Sequence, residues 1–158
     1  MGRPACLLAG GDLSRGFDVG QAADLGGILA GLKWVKEDNI VFYHLAWKGQ
    51  QSLADGSPAE QIHNIIYTAD CLQVAASVGC SKFVNVGTVE ELYFEDYLES
   101  SKWMEQPYYS GHGYYAASKA GAFKMNLIVA YLQKIEYVQA RFSVVVSRDL
   151  ESFSKGYS

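Results

Sequence analysis

The sequence predicts an α/β fold, a parallel sheet with helices on both faces. Three observations predict it. Short apolar runs alternate with longer helical patterns in the order β–α–β–α–β–α–β. The short runs are continuously apolar, as strands buried on both faces are. Two of the longer segments carry helix start and stop signals. Such alternation builds βαβ units, and in open parallel sheets ligands bind beyond the carboxyl ends of the strands.

Each element has its own reason. "ACLLAGG" (5–11) is an apolar run ending in two glycines, which reads as a buried strand feeding a tight turn. "GFDVGQAADLGGILAGLKWV" (16–35) has apolar residues that suit a helix, weakened by its glycines. "NIVFYHLAW" (39–47) is a strand, and "KGQQSLADGSP" (48–58) a loop. A helix is expected over 58–79, with Ser57 as its cap, Pro58 in its first turn and Gly79 as its stop. Its apolar face would be Ile62, Ile65, Ile66, Ala69, Leu72, Val74, Ala75 and Ala76. "KFVNVGT" (82–88) is a strand, and the acidic, aromatic stretch 89–111 reads as a long loop without period. "YYAASKAGAFKMNLIVAYLQK" (114–134) is a second strong helix, and "EYVQARFSVVV" (136–146) a last strand. Residues 1–146 thus form one domain, followed by a polar tail over 147–158.

Composition narrows the function classes. The chain has 158 residues, 49% apolar and 19% charged, which fits one globular domain. A net charge of −4 and thirteen scattered basic residues argue against nucleic acid as a partner. No run is long and apolar enough to cross a membrane, and no secretory leader is visible. Cys6, Cys71 and Cys80 form no C-x-x-C pair and read as reduced thiols of a cytoplasmic protein. His44, His63 and His112 lack metal-ligand spacing, so no metal is expected.

The residues that carry chemistry follow the strands. Gly10, Gly11 and Gly16 come after the first strand, where a dinucleotide turn would need backbone close to a diphosphate. Leu13 stands where that turn would want glycine, and a plain glycine-rich loop explains the run equally well. Thr88 ends the strand "KFVNVGT". Tyr115 and Lys119 open the next helix one turn apart, so both lie on one face. An ammonium beside a phenol favours phenolate and makes the tyrosine a usable acid or base. Thr88 would bond a substrate oxygen, Tyr115 would pass a proton, and Lys119 would hold a ribose and tune the phenol.

The pieces "VFYHLAWKG" (41–49), "NIIYTADCLQVAASVGCSKFVNVGTVEE" (64–91), "YYAASK" (114–119) and "ARFSVV" (140–145) stand in the order of a known family. The chain resembles the extended short-chain dehydrogenases/reductases, the NAD-dependent epimerase/dehydratases that act on nucleotide sugars. The resemblance implies a Rossmann-like sheet, shortened here, with NAD or NADP as cofactor and a nucleotide sugar as substrate. It implies that Tyr115 is the proton-transfer group, that Thr88 orients the substrate oxygen and that Lys119 binds the nicotinamide ribose. Gly10, Gly11, Gly16, Ala46, Trp47 and Arg141 would line the cofactor, with Ser143 near the substrate. Asn64 resembles a structural asparagine that ties neighbouring strands together. The helices at 58–79 and 114–134 are those through which such enzymes form homodimers.

The chain departs from that pattern at Leu13 and in the segment from Gly16 to "FYHLAW", which has room for one helix and a link where the family fits two more strands. It also stops soon after the last matching strand. The alternative reading is a non-catalytic or truncated relative that acts as a binding or regulatory module.

Overall fold

The computed structural model describes residues 6–10, 13–17, 27, 39–48, 57–108 and 112–143. Five strands form one sheet: β1 (Cys6–Gly10), β2 (Leu13–Phe17), β3 (Val41–His44), β4 (Lys82–Thr88) and β5 (Glu136–Phe142), in the order β2-β1-β3-β4-β5. β3, β4 and β5 are parallel. Between β3 and β5 three α-helices connect and cover them: α1 (Pro58–Ser77), α2 (Glu90–Glu99) and α3 (Gly113–Gln133), as far as the described residues go. Three parallel strands with helices make the α/β, Rossmann-like arrangement expected.

The first strand differs from expectation. β1 pairs antiparallel with β3, and β2 folds back antiparallel on β1. The glycine run therefore joins the two strands of a hairpin and does not lead from a strand into a helix. Gly10 closes β1 opposite Leu13, and Gly16 lies within β2 opposite Leu7. Hydrogen-bonding along the β1 edge satisfies the backbone of 13–17, which a loop would have left to water. Of the helix expected over 16–35, Gly16 and Phe17 belong to β2, drawn there by pairing with β1, and Gly27 is helical; the rest lies outside the described residues.

The helix ends follow local chemistry. The Ser57 hydroxyl accepts from the Glu60 N–H at 3.3 Å, Glu60 accepts in return from the Ser57 N–H at 3.4 Å, and Pro58 needs no donor in the first turn. Gly79, at φ +88°, carries the chain out of α1 in a conformation most side chains resist. Lys134 closes α3 in the left-handed region.

Packing runs in layers across the parallel register. Phe42, Phe83 and Tyr137 are partners on β3, β4 and β5, and their rings stack with centroids 5.2 and 6.2 Å apart. Leu72, Cys71 and Ala75 of α1 close over this layer. Two residues on, His44, Asn85 and Gln139 form a polar layer, and beyond it lie Gly87 and Arg141.

α1 is rotated relative to the expected apolar face. Gln61, Asn64 and Thr68 are buried with Leu72, while Ile62 and Ile66 are half exposed. The polar side chains face inward because each has a bond to make there. Asn64 grips Lys48, accepting from its N–H at 2.8 Å and donating to its carbonyl at 2.6 Å. Buried groups so satisfied cost little, and the chain beyond β3 is fixed as a result.

Phe83 touches both flanking rings and is fully buried. Phe83→Ala is expected to lower unfolding free energy by about 3–5 kcal/mol, measurable by urea denaturation.

Candidate functional site

The carboxyl ends of β3 and β4 meet the first turns of α2 and α3. Ala46 and Trp47 follow β3, Thr88 ends β4, and Tyr115 and Lys119 sit on one face of α3. Thr88 and Lys119 are buried and Tyr115 is half-buried. The Thr88 hydroxyl hydrogen-bonds the Tyr115 phenol. Lys119 Nζ donates to the Val86 carbonyl at 2.9 Å and lies 3.9 Å from the centroid of the Trp47 ring. Trp47 meets Tyr115 edge to face and donates from Nε1 to Gln61 at 2.9 Å. The grip of Asn64 on Lys48, the next residue, holds the indole in place. Thr88, Tyr115, Lys119, Ala46 and Trp47 are therefore gathered at one end of the sheet.

The other expected residues lie apart from this cluster or outside view. Gly10 and Gly16 are in the antiparallel hairpin, and Gly11 is outside the described residues. Arg141 turns to the helix-covered face, where its Nε donates to Glu91 at 2.8 Å and its guanidinium packs on the Phe123 ring. Ser143, just past β5, is exposed.

The electrostatics correct one expectation. The Tyr115 phenol is pushed up, not down: burial is the largest cause, the Thr88 hydrogen bond opposes it, and the charges of Glu91 and Glu90 add to it. Lys119 is 5.8 Å from the phenol ring centroid and does not outweigh these effects. At neutral pH Tyr115 is a protonated acid. Burial lowers Lys119 to about 8, with Glu91 holding part of the charge in place. Lys119 is thus an ammonium at neutral pH that loses its proton in mildly alkaline solution.

Two features escaped the sequence reading. The stretch 89–111 holds α2 and a 3₁₀ turn at Lys102–Met104. The signal was Thr88-Val-Glu-Glu91, whose side chains bond the backbone where the strand turns into the helix: Glu90 N–H donates to Thr88 Oγ1 at 3.3 Å, and Thr88 N–H donates to Glu91 Oε1 at 3.0 Å. The second is Glu91 itself, fully buried at 0% exposure. It also accepts from Gln139 Nε2 at 2.8 Å, while Gln139 Oε1 accepts from Asn85 at 2.9 Å and from the Tyr137 hydroxyl. Asn85 Oδ1 is left to accept from His44 Nδ1 at 3.1 Å.

The donor set fits one end of a nicotinamide nucleotide. A buried ammonium, a phenol and a hydroxyl suit a ribose diol and a reacting oxygen. Among the described residues the usual frame for a diphosphate, glycines leading from a strand into a helix N-terminus, is not found: β1 runs antiparallel to β3, and its glycines join two strands at the amino end of β3. Among the described residues there is no metal-ligating cluster and no helix long and apolar enough to cross a membrane. Cys71 and Cys80 are free and buried, and burial pushes the Cys80 thiol up to about 11, so it is unreactive.

The comparison with family models agrees with the fold. The family model described as NAD dependent epimerase/dehydratase matches residues 23–156. The chain belongs to the NAD-dependent epimerase/dehydratase family, whose members generally use NAD(P). No curated protein and no solved structure matched it.

Two outcomes follow for stability. Arg141→Ala leaves Glu91 buried without its counter-ion and is expected to lower unfolding free energy by roughly 3 kcal/mol, read by urea denaturation. Lys119 titrates near 8 when folded and near 10.5 when unfolded, so the unfolded chain binds more protons between these values. Its contribution to stability is complete above the unfolded value and is lost as pH falls through about 8. The stability of the wild type relative to Lys119→Met is therefore expected to rise from pH 8 to 10.5, measured as urea midpoints of the two proteins across that range.

Proposed function

We propose that the protein is an NAD(P)-dependent oxidoreductase of the epimerase/dehydratase type acting on a nucleotide sugar, with Thr88, Tyr115 and Lys119 as its working residues. The observation that carries the reading is their meeting at the end of β4, with the Thr88 hydroxyl on the Tyr115 phenol and Lys119 buried beside them. The dinucleotide, when bound, supplies or accepts the hydride. The protein supplies the proton. Tyr115, held protonated by burial, gives its proton to a sugar oxygen as that oxygen gains charge. The Thr88 hydroxyl donates to the phenolate that this leaves and orients the sugar oxygen. Lys119 would hold the nicotinamide ribose by its ammonium, which in the free protein is on the Val86 carbonyl and the Trp47 ring. Ala46 and Trp47 would line that end of the cofactor, and Ser143 would meet the substrate. Arg141 contributes through Glu91 and not by touching the cofactor.

Proton transfer by a placed side chain is worth about 10²–10⁴ in rate. Tyr115→Phe is therefore expected to lose turnover by that factor on the nucleotide sugar that the wild type accepts, with cofactor affinity nearly unchanged. A panel of nucleotide sugars with NAD or NADP, followed by absorbance of the reduced nicotinamide, reads both. Turnover retained in Tyr115→Phe contradicts the mechanism.

A second reading has its own observation. The antiparallel β1–β2 hairpin replaces a parallel first strand, and its glycine turn lies at the amino end of β3, away from the cluster, which favours a binding module that keeps the fold without the redox step. In that case Tyr115→Phe leaves the module's binding unchanged.

The reading includes a cytoplasmic homodimer. The free thiols fit a reducing compartment. Ile62 and Ile66 of α1 and Ile128, Tyr131 and Leu132 of α3 are half or more exposed, an apolar surface that a second copy would cover. Sedimentation equilibrium is expected to give a dimer for the wild type and a monomer for Ile128→Glu with Leu132→Glu.

A further inference from the structure

The most costly group near the site is the Glu91 carboxylate. Taking a carboxylate fully out of water costs several kcal/mol unless it is paired and hydrogen-bonded. An exposed glutamate would cap α2 equally well. Here three donors converge on a buried one: Thr88 N–H, Gln139 Nε2 and Arg141 Nε, at 3.0, 2.8 and 2.8 Å. β4 makes room for them. A Cβ at Gly87 would run into both Gln139 Nε2 and Glu91 Oε1, so only glycine admits the carboxylate at this height on the strand.

Of the three donors, only Thr88 belongs to the strand-end cluster. Two bonds hold it. Its backbone N–H is fixed on Glu91, and its Oγ1 accepts from the Glu90 N–H. A hydroxyl that accepts from a backbone donor still has its own hydrogen to give. The downward pull of Thr88 on the Tyr115 phenol is that of a hydroxyl donating to the phenol oxygen. Glu90 in turn accepts from the Tyr108 hydroxyl at 2.6 Å, which fixes the first turn of α2 from outside.

Resting on the function proposed above, we infer that Glu91 is a positioning residue for proton transfer: its bond to the Thr88 N–H holds the Thr88 hydroxyl on Tyr115, and Arg141 and Gln139 hold Glu91 in place. It acts through Thr88. Arg141 thereby serves the site from the far side of the carboxylate.

The test is a double-mutant cycle read on Tyr115 in the full chain, with neither cofactor nor turnover needed. The protein is labelled with ¹³Cζ-tyrosine, and the Tyr115 signal is assigned by its loss in Tyr115→Phe. Thr88→Val is made with Glu91 in place and in Glu91→Gln. The inference predicts that Thr88→Val moves the Tyr115 ¹³Cζ shift in the first background and moves it less than half as far in the second. An equal movement in both backgrounds overturns it, as does no movement in the first. If Glu91→Gln does not fold, Glu91→Gln with Arg141→Met, which leaves no unpaired charge, replaces it in the cycle. In the turnover assay the folded Glu91→Gln protein is expected to lose about tenfold to a hundredfold in kcat, the scale of a misplaced group, with KM for the sugar unchanged. Wild-type kcat in that variant also overturns the inference. An inactive wild type with an intact coupling cycle would count against the proposed function alone.

Discussion

One buried negative charge sets the direction of the polar interior. The amides of Asn85 and Gln139 and the imidazole of His44 form a chain in which every donor points toward Glu91: His44 to Asn85, Asn85 to Gln139, Gln139 to the carboxylate. Reversing any amide would put a donor against a donor. The charge therefore selects one arrangement of a layer that spans three strands, and Arg141 balances it from β5. The position of Thr88, and through it the contact with Tyr115, is an end point of this arrangement. The aromatic layer of Phe42, Phe83 and Tyr137 beneath supplies the burial that makes the charge matter.

Local chemistry made much of the fold legible. The Ser57-Pro58 start of α1, its stop at Gly79 and the strand "KFVNVGT" are readable because each depends on residues a few places apart. Thr88, Tyr115 and Lys119 were legible as a set because strand ends in a parallel sheet converge. The parts that could not be read depend on distant partners. Whether β1 runs parallel or antiparallel to β3 is decided by pairing, not by the composition of "ACLLAGG". The inward turn of Gln61, Asn64 and Thr68 reflects bonds to Trp47, Lys48 and the helix's own backbone, which no apolar periodicity signals. The role of Arg141 depends on Glu91, 50 positions earlier in the chain. α2 was the exception: the Thr88-Val-Glu-Glu91 start that bonds its entry lay in the sequence, hidden by an acidic, aromatic run without period.

The fold joins a kept half to a changed one. At the end of β4 the phenol, hydroxyl and ammonium meet, the arrangement that the proposed function uses. At the edge of the sheet, β1 runs antiparallel to β3, so its glycine turn lies at the amino end of β3 and away from this cluster. Trp47 adds a feature of its own, since its ring covers the Lys119 ammonium, and under the proposed function a ribose would have to part the two. Burial lowers that lysine to about 8, which would make the exchange sensitive to pH.

The central claim is that this strand-end cluster holds a nicotinamide nucleotide. The most direct measurement is a calorimetric titration of the full chain with NADH and with NADPH, repeated on Lys119→Ala. The account predicts micromolar binding of one nucleotide that is lost in the variant. Absence of binding up to millimolar nucleotide, or binding that survives Lys119→Ala unchanged, would contradict it.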